Sequence, residues 1–172
     1  MLYSGNIGRK QGLDQLIDLA ARLQQRQVQA TVIIRGDGND RETLQQQAAA
    51  QALSNLRFEP LCPAERLAEG LAEGHIHLVP QNPAVPDSPL DQLRAASDAF
   101  VTCPPNDPTA FADAVERLLA NPAERARLGA NGRAYVERHA GRVAALRAYD
   151  AVITNPLDPS AIHSQSRAGE AA

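Results

Sequence analysis

Two glycine-containing segments carry most of the chemistry that residue type and spacing allow. The first runs Ser4-Gly5-Asn6-Ile7-Gly8-Arg9-Lys10-Gln11-Gly12, between a strand-like and a helix-like stretch. Glycines let backbone N–H groups come close to an anion, and the start of the following helix carries partial positive charge. Arg9 and Lys10 could neutralise phosphate oxygens there. The segment reads equally as a phosphate or diphosphate site and as a plain strand-to-helix turn with two solvated cations. Lys10 is the one lysine among 17 basic residues. The second segment is Arg35-Gly36-Asp37-Gly38-Asn39-Asp40-Arg41. It starts like a dinucleotide fingerprint but has Arg41 where the third glycine belongs, and it follows the second strand instead of the first. Nicotinamide binding is therefore not expected.

The remaining reactive side chains group poorly. His75 and His77 alternate on a strand-like stretch and share a face, but no acidic or cysteine partner has metal-ligand spacing. No metal is expected. His139, near a helix end, suits the helix dipole better than catalysis. Ser4 and Ser97 lack a nucleophile-elbow context. Cys62 and Cys103 are far apart and fit no CxxC, so reduced thiols are expected in a cytoplasmic protein. No catalytic residue can be named from these patterns.

Alternating strands and helices must position the loops. Leu2 to Ser4 reads as a strand. Leu13, Leu16, Ile17, Ala20 and Leu23 then lie on one helical face. Ala30 to Ile34 is a β-branched run suited to a strand buried on both faces. A Gln- and Ala-rich helix from about Asp40 to Leu53 precedes a strand at Asn55 to Phe58. Cys62-Pro63 starts a small helix with Leu67 and Leu71 on one side. His75 to Val79 reads as a strand, residues 81–89 as a proline-rich loop, Asp91 to Ala96 as a helix and Phe100 to Cys103 as a strand. Asp107-Pro108 and Asn121-Pro122-Ala123-Glu124 mark two helix starts. The last helix, about Gly141 to Ile153, places Val143, Leu146, Tyr149 and Ile153 along one side. Such a stripe predicts a homo-oligomer or a partner chain. The pattern is that of an α/β fold, a Rossmann-like doubly wound parallel sheet with closing C-terminal helices. Its expected extent is residues 1–154, followed by a disordered tail over 155–172.

Composition narrows the function classes. The 172 residues are 44% apolar and 22% charged, an ordinary globular mix, with a net charge of -3. Acidic and basic residues are spread evenly, so no nucleic-acid partner is expected. Aromatics are only 3%, too few for base-stacking platforms. No apolar run reaches the ~20 residues of a membrane helix. The first residues read as a strand instead of a secretory leader.

Several segments together resemble one family. Tyr3 to Gly12 is similar to the glycine loop that opens the C-terminal domain of bacterial family 4 (group 1) glycosyltransferases, especially those of colanic-acid and capsule biosynthesis. Ile33-Ile34-Arg35-Gly36-Asp37-Gly38 resembles their V-G-D-G loop, and His77-Leu78-Val79-Pro80-Gln81 their H-L-V-P-Q strand end. Pro104 to Pro108, Leu128 to Asn131 and Tyr135 to His139 resemble their closing helices. The likeness covers about residues 2 to 153. It implies one half of the two-domain GT-B architecture, the half that holds a nucleotide-diphosphate sugar, with no cofactor. On that resemblance Gly5, Asn6, Gly8 and Lys10 would sit at the diphosphate, with Arg9 beside them in the loop. Gly36 and Gly38 would border the nucleotide, and the turn Glu59-Pro60-Leu61 would approach the base.

The sequence departs from the family in two places. No segment matches the acceptor-holding half. Between Gln81 and Val101 the family's further helix and strand, with their acidic E-x7-E pair, have no counterpart, and nothing marks the nearby Asp87 and Asp91 as replacements. Glu65 and Glu73 have that spacing but precede the strand, so the match reads as accidental. The resemblance therefore implies a polysaccharide or lipid-linked acceptor and a chain inactive by itself. The alternative is a non-catalytic nucleotide- or partner-binding module that docks onto a separate acceptor-domain chain.

Overall fold

The computed structural model describes residues 1–81, 90–104 and 106–154. The expected disordered tail and Asp87 lie outside the described residues. Described contacts divide the chain into two compact units, Met1–Ser88 with Cys103–Arg125, and Pro89–Thr102 with Ala126–Ala172.

The first unit is built on a parallel sheet of β1 (Leu2–Ser4), β2 (Val32–Arg35) and β3 (Leu56–Glu59), in the order β1-β2-β3. Leu2 pairs with Ile33, and Ile33 with Arg57. A fourth position flanks β1 on its other side. There the Leu2 N–H donates to Ile76 O and the Leu78 N–H to Leu2 O, both at 2.9 Å. The strand expected over His75 to Val79 is thus a single parallel bridge at His77. Pro80 has no N–H with which to continue a ladder, which limits the pairing at that end. Phe100 to Cys103, expected as a strand, forms none.

Across the sheet the order is β3, β2, β1 and then the segment at His77. This is half of a doubly wound sheet, and the order in which strands are added reverses beside β1. Ligands in such sheets bind in the crevice at the carboxyl ends of the strands at that reversal.

One face of the sheet is well covered. Helices α1 (Asp14–Gln25), α2 (Arg41–Ala50) and α5 (Pro108–Ala120) belong to this unit. Leu16, Ile17, Ala20 and Leu23 of α1, Val32 and Ile34 of β2, Leu44 of α2 and Ala112 of α5 are essentially fully buried in one cluster. Each such leucine, isoleucine or valine contributes ~1.5–3 kcal/mol. The other face is more polar. β2 and β3 alternate, so Arg35, Arg57 and Glu59 share it with Ile33, which is half-buried instead of fully buried as the β-branched run suggested. A 3₁₀ turn (Ala64–Arg66) and the short α3 (Leu67–Ala72) follow β3. Leu67 and Leu71 of α3 are largely exposed.

Helix ends follow local sequence. The Asp107 carboxylate accepts the Ala110 N–H at 2.8 Å, with Pro108 opening α5. Asn121 Oδ1 accepts the Glu124 N–H at 3.0 Å at the start of α6 (Pro122–His139). In the second unit, Asp98 follows α4 (Leu90–Ser97) and pairs with Arg127, while Asn131 Nδ2 donates to Asp98 O at 2.9 Å. His139 ends α6, its ring 4.6 Å from that of Tyr135. Helix α7 (Arg142–Thr154) has no buried residue.

Candidate functional site

The glycine loop leaves β1 at its carboxyl end and turns at once. The Gly5 N–H donates to Arg35 O at 2.9 Å and the Ile7 N–H to Asp37 O at 2.8 Å. Ile7 is wholly buried and serves as the plug that holds the loop down. The Tyr3 hydroxyl donates to Asn6 O at 2.7 Å, and burial pushes its phenol pKa up. Residues Arg9–Gln11 then make a 3₁₀ turn, ended by Gly12 in the left-handed conformation at φ 62°. The first amides of a helical turn have no partner inside it and face the loop side.

The second loop meets the first. A Cβ on Gly36 would overlap the carbonyl oxygen of Gly5, and one on Gly38 would overlap that of Ile7. Both have φ near 155°, a conformation that side chains disfavour. Gly36 and Gly38 are therefore glycines because two backbones cross here. The structure brings Gly5, Asn6, Gly8, Arg9 and Lys10 together with Gly36 and Gly38 at the carboxyl ends of β1 and β2. Leu61 lies past β3, one strand further along, with its side chain 56% exposed. Arg9 is almost fully exposed and 3.9 Å from the Asp40 carboxylate; Lys10 is exposed as well. At Gly8 a Cβ would sit 3.0 Å from both Asn6 Nδ2 and Gln11 Oε1, and that buried Gln11 oxygen has no hydrogen-bond partner. On the other side of β1, Gln15 Nε2 donates to Gly12 O at 3.1 Å and to Gln81 O at 2.9 Å. It fastens the start of α1 to the loop after His77.

Two arginines that sequence reasoning did not assign to the site organise it. Arg35 is 5% exposed and is the one buried charged residue among those described. Its guanidinium donates to Glu59 Oε2 from Nε at 3.1 Å and from Nη2 at 2.5 Å, to Gly70 O at 2.6 Å, and to the Glu73 carboxylate. Glu59 first, then Glu73, raise the arginine's pKa above its ordinary value. Glu73 thus has a structural partner, while Glu65 stays exposed. Arg41 stands where a fingerprint would have its third glycine. It donates to Gly36 O and, at 3.0 Å, to Glu59 O, with its guanidinium 5.9 Å from the Phe58 ring centre. It closes the carboxyl ends of β2 and β3. The available signals were an arginine ending an apolar strand and a second arginine in a glycine's place.

The other candidates remain apart. His75 and His77 are exposed, and among the described residues no three His, Cys, Asp or Glu side chains gather as metal ligands. Cys62 and Cys103 are both free. Among the described residues no helix is long and apolar enough to cross a membrane.

The arrangement offers backbone amides and two exposed cations where the strand order reverses, which suits an anionic group. Residues 1–81 match the family described as glycosyl transferases group 1. Over 90 residues the chain is 38% identical to WcaI of Escherichia coli strain K12, described as a colanic acid biosynthesis glycosyl transferase; the match covers 52% of this chain and 22% of that relative. The chain thus spans about a fifth of the relative's length. Among solved structures, a mutant of S. aureus TarM, crystallised with fondaparinux, alpha-GlcNAc-glycerol and UDP, superposes with a TM-score of 0.66 at 12% identity, over 80% of this chain and 32% of that one. The catalytic domain of cholesterol-alpha-glucosyltransferase from Helicobacter pylori gives 0.60 at 16% identity, over 79% and 96%. These likenesses show the fold, half of the GT-B architecture.

Proposed function

We propose, from the match of residues 1–81 to the group 1 glycosyl transferases, that this chain holds the nucleotide-diphosphate sugar of a glycosyltransferase. The observation that carries the reading is the crossing of the two glycine loops at the carboxyl ends of β1 and β2, where the strand order reverses. The diphosphate would lie against Gly5, Asn6 and Gly8, with Arg9 and Lys10 offsetting its charge. The nucleoside would lie along Gly36, Gly38 and the turn from Glu59 to Leu61. That the TarM crystal holds UDP supports a nucleotide ligand for a chain of this fold. The sugar would pass to a polysaccharide or lipid-linked acceptor, in keeping with the colanic acid description of WcaI.

Calorimetric titration with a panel of nucleotide diphosphates and their sugars tests this. Binding near ~1 mM is expected, about -4 kcal/mol. Lys10→Ala should weaken it about tenfold, since a charge-assisted hydrogen bond is worth ~1.5–3 kcal/mol. Absence of binding across the panel would overturn the reading. So would a Lys10→Ala protein that binds as well as the wild type.

This polypeptide by itself should transfer no sugar, because group transfer needs reactants held in register and orientation carries several kcal/mol of the barrier. Acceptor-dependent release of nucleotide diphosphate by the isolated chain would contradict that. A second reading, a non-catalytic module that docks onto an acceptor-domain chain, is favoured by the exposed apolar side chains of α7.

A further inference from the structure

Arg35 ends β2 immediately before Gly36, and its backbone and side chain serve different neighbours. Its carbonyl receives the Gly5 N–H, which ties it to the glycine loop. Its guanidinium binds Glu59 at the end of β3, and Gly70 O and Glu73 around α3. The space for it is built. Gly70 is buried, and a Cβ there would come 2.9 Å from Arg35 Nη1 and 2.7 Å from Cys62 Sγ. A side chain at Gly70 would force the guanidinium or the Cys62 thiol to shift. A covering helix segment with a missing side chain, two carboxylates and one buried cation form a single unit. All of it converges on the turn that starts at Glu59.

The unit also controls charge. Glu59 and Glu73 are 30% and 53% exposed in their side chains, at the same end of the sheet as the proposed anion site. Without Arg35 they would be two uncompensated negative charges there. With it, the group carries only one.

We infer that Arg35 is a positioning residue for the nucleoside side of the site. It fixes the Glu59-Pro60-Leu61 turn against Gly36 and Gly38 and does not itself reach the diphosphate. This rests on the nucleotide reading above and deepens it. Two ligands separate the roles of the loops. Pyrophosphate needs only Gly5 to Lys10, whereas a nucleoside diphosphate also uses the Arg35-held turn.

The test is calorimetry of wild type, Arg35→Leu and Glu59→Gln with UDP, ADP and inorganic pyrophosphate, beside Lys10→Ala. For Arg35→Leu and Glu59→Gln the affinity for the preferred nucleotide should fall about tenfold, to near that of pyrophosphate. Pyrophosphate itself should bind within about threefold of wild type. Lys10→Ala should lose both ligands together. Should Arg35→Leu fail to fold, Glu59→Gln decides the matter, because it removes one half-exposed charge and keeps the side chain's shape. Arg35→Lys keeps the charge but lacks the fork, so it should not restore the nucleotide preference. Nucleotide binding unchanged in Glu59→Gln, or equal losses for nucleotide and pyrophosphate, would overturn the inference. A wild type that binds neither ligand would instead defeat the nucleotide reading itself.

Discussion

At the scale of single residues, backbone crossings govern the site more than side-chain chemistry does. Gly36 shows this best, because a methyl group there would overlap the carbonyl of Gly5. The two loops cannot separate without breaking the Gly5–Arg35 hydrogen bond. Gly36→Ala should therefore cost on the order of 3 kcal/mol, the range of a strained or overpacked site, read as a lower urea midpoint. An unchanged midpoint would mean that the loops are not locked. Cys103 gives a pH-dependent counterpart. Burial first, and Asp107 second, push its thiol pKa above the ordinary 9.0. A raised folded pKa favours the protonated form, so its contribution to stability is present below the unfolded value and is lost as pH rises through the folded one. Stability should decline more steeply above about pH 9 in the wild type than in Cys103→Ala, by urea titration at successive pH values. Parallel curves would show that the thiol is not burdened by burial.

At the scale of elements, what was legible in the sequence was what neighbours along the chain decide. The apolar face of α1 and the Asp107 cap are set within a few residues, and both stand as read. Asp107→Ala removes the acceptor for the Ala110 N–H. It should cost ~1 kcal/mol and lower Tm by about 2–4 °C in a chain of this length, measured by calorimetry. No change would mean that the cap contributes nothing to α5. Strand pairing was less legible, because it depends on what lies alongside. Ala30 to Ile34 reads as doubly buried by composition, yet Ile33 is only half-buried on the face it shares with Arg35, Arg57 and Glu59. The stretch at His77 alternates like a strand but has only β1 to pair with among the described residues. The glycine loops of the site were visible as a motif. Arg35 was not, since its partners stand 24 and 38 residues away and no local pattern links them. Arg41 looked like a broken fingerprint and is in fact a clamp on two carbonyls.

At the scale of the whole molecule, the apolar surface of α7 demands an account. Val143, Leu146, Tyr149 and Ile153 are 63%, 58%, 69% and 73% exposed. They recur at helical spacing, and none is buried. A regular stripe of this kind is rare on a monomer that stays soluble. Burying four such side chains could contribute roughly 6–12 kcal/mol. Association itself loses about 4–15 kcal/mol of translational and rotational freedom. The two are of the same order, so a stripe on one helix supports weak association and not a permanent complex. The isolated chain should therefore associate reversibly, with a dissociation constant between about 1 µM and 1 mM. Sedimentation velocity over a concentration series should show the weight-average mass rising with concentration. Leu146→Asp with Tyr149→Asp places two charges in the middle of the stripe and should return the monomer without lowering Tm, since neither side chain is buried. A wild type that stays strictly monomeric at high concentration, without loss of solubility, would show that the stripe is tolerated by water. A double variant that still associates would place the contact elsewhere.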